Sequence, residues 1–201
     1  MVERDKRESI LEAATRCFGR WGYKKASVDL IARQAGVGKG TVYLNCDSKE
    51  DLFYQAVHRE LRSFIGDVTR MIDPRVPANE LMMRAAAAHL EFLDKRPLVR
   101  DLLFGILHGQ LPGWIDRFDE LRTMAHRYLV EILELGIRQG IFRPDLDVPT
   151  IAEILQEMQI AAILLGKRTR TQGNAPDLDD LAQRQAAGFD LIMKGLEARP
   201  A

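Results

Sequence analysis

Cysteine is scarce: Cys17 and Cys46 are the two in 201 residues, too few for a disulfide framework and without the paired spacing of a zinc site. Both read as small buried hydrophobes, and Cys17, set on an apolar face, lacks the exposure that a redox thiol needs. Histidine is equally thin. His58, His89, His108 and His126 show no HExxH or HxxxH spacing and have no cysteine partner, so metal ligation is not indicated. GxSxG, a P-loop and a GxGxxG after a strand are missing as well. With no motif to carry catalysis, the chain is expected not to be an enzyme and to need no cofactor. No run approaches the ~20 apolar residues of a membrane span, and MVERDKRESI has no apolar core of the kind a secretory signal carries, so a cytoplasmic location and no membrane partner are expected. Strand alternation, internal repeats and low-complexity tracts are absent too.

An excess of one charge is also lacking, since 29 Lys and Arg balance 29 Asp and Glu. The distribution is less even. Residues 1–47 hold nine basic against six acidic side chains, and the remainder 20 against 23, a modestly basic head on an acidic body that can steer one end toward phosphate. At 46% hydrophobic and 29% charged, the composition is that of an ordinary globular protein.

What is present is helical periodicity. Ile10, Ala13, Ala14, Cys17 and Phe18 predict an apolar stripe on a helix from about Asp5 to Trp21, ended by Gly22. Ser27 then reads as the N-cap of a short helix with Val28, Ile31 and Ala32 inward. Gly36 supplies the positive φ of a sharp corner, and Gly38 to Leu44 form a second short helix with Val42 inward. That is a helix-turn-helix, and Lys39, Thr41, Tyr43 and Asn45 on its second helix suit a major groove. Asp47, Ser48 and Glu50 read as a cap and capping box opening a long helix near Lys49. The residues before it, Met1 to Lys6, fit either a solvated terminus or an arm reaching a minor groove through Arg4, Lys6 or Arg7.

The stretch ILEAATRCFGRWGYKKASVDLIARQAGVGKGTVYLNCDSKEDLF, Ile10 to Phe53, resembles the DNA-binding domain of the TetR family of bacterial transcriptional regulators. The resemblance implies a three-helix head over residues 1–47 and a helical effector-binding and dimerisation domain over 48–201, all-α with about nine helices in total. It implies that Ser27, Tyr43 and Lys49 hold phosphates and that Lys39, Gly40 and Thr41 stand at the groove-facing start of the recognition helix. Three positions depart from the family pattern. Asn45 stands where an aromatic or His is usual, Cys46 where Phe is usual, and Gly38 where a Ser often caps the helix. The alternative that Asn45 and Cys46 motivate is a helical ligand-binding or interaction module that has lost specific DNA binding.

Beyond the head, apolar spacing predicts helices from Lys49 to before Asp73-Pro74, from Pro77 to Lys95, from Leu98 to about His108 and from Trp114 to Gln139. The loop IFRPDLDVP follows, and then helices at 150–167 and 177–198. The first of that last pair is apolar on more than one face and must be covered on more than one, so the pair is expected to meet its twin in a homodimeric four-helix bundle. His89, Phe92, Phe104, His108, Trp114, Tyr128, Met158 and Gln159 mix aromatic, thioether and polar groups within apolar stripes, as the lining of a small-molecule pocket does, although an ordinary core looks the same. The resemblance implies a ligand here whose binding lowers affinity for a palindromic operator on double-stranded DNA.

Overall fold

The computed structural model describes residues 3–96, 98, 99, 102, 119–165 and 178–197, some of them by backbone alone. Among these, eight helices follow one another: α1 Glu3–Lys25, α2 Val28–Ala35, α3 Lys39–Tyr43, α4 Lys49–Arg70, α5 Ala78–Lys95, α6 Asp119–Arg138, α7 Val148–Leu165 and α8 Leu178–Leu196. The fold is all-α. Leu98, Val99 and Leu102, from the short helix expected after Pro97, are helical and buried; the rest of that helix lies outside the described residues. The chain divides into two compact units, residues 1–63 with 96–118, and residues 64–95 with 119–201, and α4 contributes to both.

In the first unit, Ile10, Ala13, Ala14, Cys17 and Phe18 of α1 are all buried, as their spacing requires. Phe18 meets Phe53 edge-on with centroids 5.1 Å apart, and Tyr23 meets Phe53 at 5.2 Å. Gly22, at φ 73 and ψ 166, breaks α1 without ending it, and a last turn carries on to Lys25. At the other end the helix begins at Glu3, and Arg7 donates to Gln55 Oε1 at 3.3 Å; of the two readings of the N-terminus, the free arm does not hold for Arg7. Arg59 of α4 donates to Glu8 at 2.8 Å and to the buried Glu60 at 3.2 Å, and Arg96 also pairs with Glu60. Two guanidiniums thereby satisfy a carboxylate withdrawn from water.

The second unit has its core on Leu81, Met82 and Ala85 of α5, Tyr128, Leu129, Ile132 and Leu133 of α6, and Ala152 and Leu155 of α7. Gln139 fastens the loop before α5 by accepting from Ala78 N at 2.8 Å and donating to the carbonyls of Pro74 and Val76, each at 3.0 Å. Helix α7 starts two residues earlier than Thr150. Pro149 needs no partner for its nitrogen in a first turn, and Asp147 caps the end by accepting from Thr150 Oγ1 at 2.8 Å and Thr150 N at 3.3 Å.

Candidate nucleic-acid interface

The corner between α2 and α3 is built by local chemistry. Ser27 Oγ accepts from Leu30 N at 3.2 Å and satisfies one orphan donor at the start of α2. Gly36 closes the helix at φ 68, ψ 29, the left-handed cap that favours glycine, and Val37 N returns to Ala32 O at 3.0 Å. Val28, Ile31 and Ala32 from α2 and Val42 from α3 are buried. Helix α3 is thus pinned by one side chain, and most of its surface faces outward.

Lys39, Gly40 and Tyr43 are exposed and Thr41 is half-buried. Gly38 caps α3 without a side-chain hydrogen bond, as the missing Ser leads one to expect. Gly40 is informative: its φ is not positive, and a Cβ built on it would meet nothing within 4 Å. Among the described residues neither backbone conformation nor internal packing asks for a glycine there, and glycine costs a helix ~1 kcal/mol against alanine. Just beyond Tyr43, which is 46% exposed, Leu44 is 86% exposed, an apolar side chain on the same outward end that periodicity alone does not single out.

Charges around α3 are engaged. Lys39 Nζ donates to Asp29 Oδ2 at 2.9 Å, which lowers the pKa of Asp29 and raises that of Lys39. Lys49 is half-buried. Its ammonium donates to Lys24 O at 3.3 Å and lies 4.6 Å from the centre of the Tyr23 ring, and burial lowers its pKa. Neither partner is visible in the spacing of the sequence, because each depends on where a long side chain comes to rest.

The two unusual residues are accommodated. Asn45 Nδ2 donates back to Thr41 O at 2.8 Å, and Gln55 donates to the Asn45 carbonyl at 3.2 Å. Cys46 is buried with its thiol 3.3 Å from Val42 O, and burial raises its pKa, as it does for Cys17; neither is a poised thiolate. Helix α4 is capped by Ser48, which accepts from Asp51 N at 3.0 Å, while Asp51 accepts from Asp47 N at 3.1 Å. Asp51, three residues after the cap, takes the part expected of Glu50.

Of the expected pocket residues, His89 and Phe92 come together on α5. Phe64 of α4 stacks on Phe92 at 4.4 Å and meets His89 edge-on at 5.6 Å. Phe64 belongs to the helix stripe but not to the expected set. Tyr128 is buried on α6. Met158 packs toward α8, its Cε 3.2 Å from where a Cβ on Gly188 would lie. Phe104, His108, Trp114 and the side chain of Gln159 lie outside the described residues. A shallow depression without room for a water molecule is lined by Val68, Met71, Ile72, Leu81, Ala85 and Ile132, none of them in the expected set. Among the described residues no cluster of His, Cys, Asp or Glu could hold a metal ion, and no helix is long and apolar enough to cross a membrane.

A buried-faced α2, a glycine corner and an outward α3 bearing a cation define a helix-turn-helix protein of the DNA-binding class. Residues 10–56 match the family of bacterial regulatory proteins named for tetR. The uncharacterised HTH-type transcriptional regulator YhgD of Bacillus subtilis is 30% identical over 79% of this chain and 83% of its own. The fatty acid metabolism regulator protein of the same species is 31% identical over 73% of this chain and 75% of its own. A transcriptional regulator from Cytophaga hutchinsonii shares the fold, with a TM-score of 0.81 over 95% of this chain and 98% of its own at 18% identity. The chain belongs to the TetR family and is a DNA-binding transcriptional regulator.

Proposed function

We propose that the protein is a homodimeric repressor, released from a palindromic operator when a small, largely apolar ligand binds within residues 48–201. The observation that carries the DNA-facing half is Gly40, a helix-weakening glycine on an open surface that nothing among the described residues requires. A backbone stripped of its side chain lets α3 approach a sugar-phosphate chain closely. Around it, Lys39 and Thr41 address the groove, Tyr43, Asn45 and the Ser27 hydroxyl address phosphates, and Lys49 offers the N–H donors that Lys24 leaves free. Residues 1–47 act as the DNA-binding head.

Partner and ligand have their own support. Ile154 on α7 and Leu191 on α8 are 46% and 73% exposed, apolar side chains on the two helices that would pair with a twin. The relative at 31% identity is named for fatty acid metabolism, in keeping with an apolar effector, and the Phe64, His89 and Phe92 cluster offers an aromatic wall with one polar atom. Because α4 runs through both units, a ligand that shifts it can change the spacing of two recognition helices. A coupling of 1–3 kcal/mol lowers operator affinity by roughly 5- to 150-fold. The described groups point to binding rather than catalysis, inside the cytoplasm where operators are.

Selection from a randomised duplex library supplies the operator, and Gly40→Ala supplies the test. The variant is expected to be more stable by about 0.5–1 kcal/mol in urea while binding the selected duplex at least about tenfold more weakly. Unchanged or tighter DNA binding would remove α3 from the interface, and a library without any enriched sequence would leave the lost-DNA-binding alternative standing.

A further inference from the structure

Lys39, the one cation on α3, does not point freely at a partner. Its ammonium is held at 2.9 Å by Asp29 in the first turn of α2, and both side chains are more than half exposed. A solvent-exposed pair of this kind adds little to the stability of the fold. Its placement is costly for a protein that must approach phosphates, since a carboxylate sits on the DNA-facing side and cancels the charge nearest to it. The N-cap of α2 is Ser27, whose hydroxyl accepts from Leu30 N; Asp29, the acidic residue of that first turn, also meets its own backbone amide and the charge of Arg33, but its strongest partner is Lys39.

We propose that Asp29, through its ion pair with Lys39, sets how strongly this regulator prefers its operator over bulk duplex. The inference rests on the DNA-binding reading above. Non-specific binding is driven by the release of counterions from phosphates that the protein neutralises, so its strength and salt dependence follow the number of free cations at the surface. A Lys39 tied to Asp29 is withdrawn from that count. On the operator the same tie has the opposite value. It restrains a flexible four-carbon stem that otherwise samples many directions, so less freedom is lost when the lysine donates to guanine O6 and N7. Asp29 therefore acts as a positioning residue for Lys39. It weakens binding to DNA in general and spares the contact that reads sequence.

The test compares Asp29→Asn, Lys39→Met and the double variant with the unaltered full-length chain. Binding to the selected operator duplex and to a scrambled duplex of the same length and composition is followed by fluorescence anisotropy from 50 to 300 mM KCl. For Asp29→Asn the scrambled duplex is expected to bind roughly 3- to 10-fold tighter, with a log–log salt slope steeper by about 1, the increment for one more phosphate neutralised. The operator gains less, so the ratio of the two affinities falls by about threefold or more. In the Lys39→Met background the same Asp29→Asn change is expected to leave the ratio where it was. A ratio unmoved by Asp29→Asn in the unaltered background overturns the inference, and so does an equal effect with and without Lys39, because the carboxylate would then act by its own charge. Failure of the unaltered protein to bind any duplex overturns the DNA-binding reading instead, and this inference with it.

Discussion

The imidazole of His89 meets the Phe64 ring edge-on at 5.6 Å, and its Nε2 is shut off from solvent with no hydrogen-bond partner among the described residues. Burial pushes its pKa from 6.5 down to about 4, so the ring is neutral at physiological pH. The consequence for stability follows from where protons go. As pH falls through 6.5 the unfolded chain takes up a proton at this position and the folded chain does not until about 4, so stability is lost as pH falls across that window. The loss amounts to about 3 kcal/mol in all, since each tenfold weakening of proton affinity on folding is worth about 1.4 kcal/mol. Urea unfolding of the unaltered protein and of His89→Phe at pH 7.0, 6.0, 5.0 and 4.5 checks this. The variant is expected to gain steadily on the parent as pH drops, whereas parallel profiles would mean that water or a partner reaches the ring. The sequence marks His89 as a polar residue in an apolar stripe. It does not say that the Nε2 finds no partner among the described residues, because that depends on Phe64, 25 residues earlier, arriving from α4.

Helix by helix, periodicity carries the architecture well wherever a single buried face has to be formed: the stripe of α1, the inward Val28, Ile31 and Ala32 of α2, and the length of α4 up to its last turn. It falters where an isolated residue outvotes the pattern. Pro149 reads as loop because a proline usually interrupts, yet in a first turn it interrupts nothing. Phe142 also reads as loop, but it is buried at 1% exposure and packs against Gly136, where a Cβ would sit 2.0 Å from the ring. The available signal is the glycine itself, placed within a helix of good helix formers with no turn to explain it. The contact anchors more than one element. Phe142 N donates to Gly136 O at 3.1 Å, and the next residue, Arg143, donates to Leu196 O at 3.0 Å at the end of α8. Gly136→Ala is therefore expected to destabilise the second unit by about 2–3 kcal/mol, in the range for an overfilled core. A smaller ring-free side chain, Phe142→Leu, should recover part of that loss in the Gly136→Ala background. Thermal melts of the single and double variants check both statements, and a Gly136→Ala protein as stable as its parent would contradict the packing.

Binding by one copy of this chain presents a difficulty of size. Helix α3 has five residues, enough to touch a few base pairs, and specific recognition by such short probes relies on two of them set one helical turn of DNA apart, about 34 Å. A single chain has one. In the homodimer proposed above, the twofold partner is met on the last two helices, where the described residues that offer large exposed apolar groups are Ile154 and Leu191. In water these side chains gain by mutual burial, and a glutamate at either position places a charge in that contact. Ile154→Glu with Leu191→Glu is accordingly expected to sediment as a monomer at concentrations where the parent is a dimer. Its affinity for the full operator should fall by roughly 100-fold or more, the lower end of what linking two sites contributes, while its affinity for an isolated half-site stays within about twofold of the parent's. Sedimentation equilibrium and anisotropy on full and half duplexes read the two effects separately. A double variant that remains dimeric shifts the interface elsewhere, and a monomer that still holds the full operator at parental affinity would mean that a single α3 suffices and that α7 and α8 serve the ligand alone.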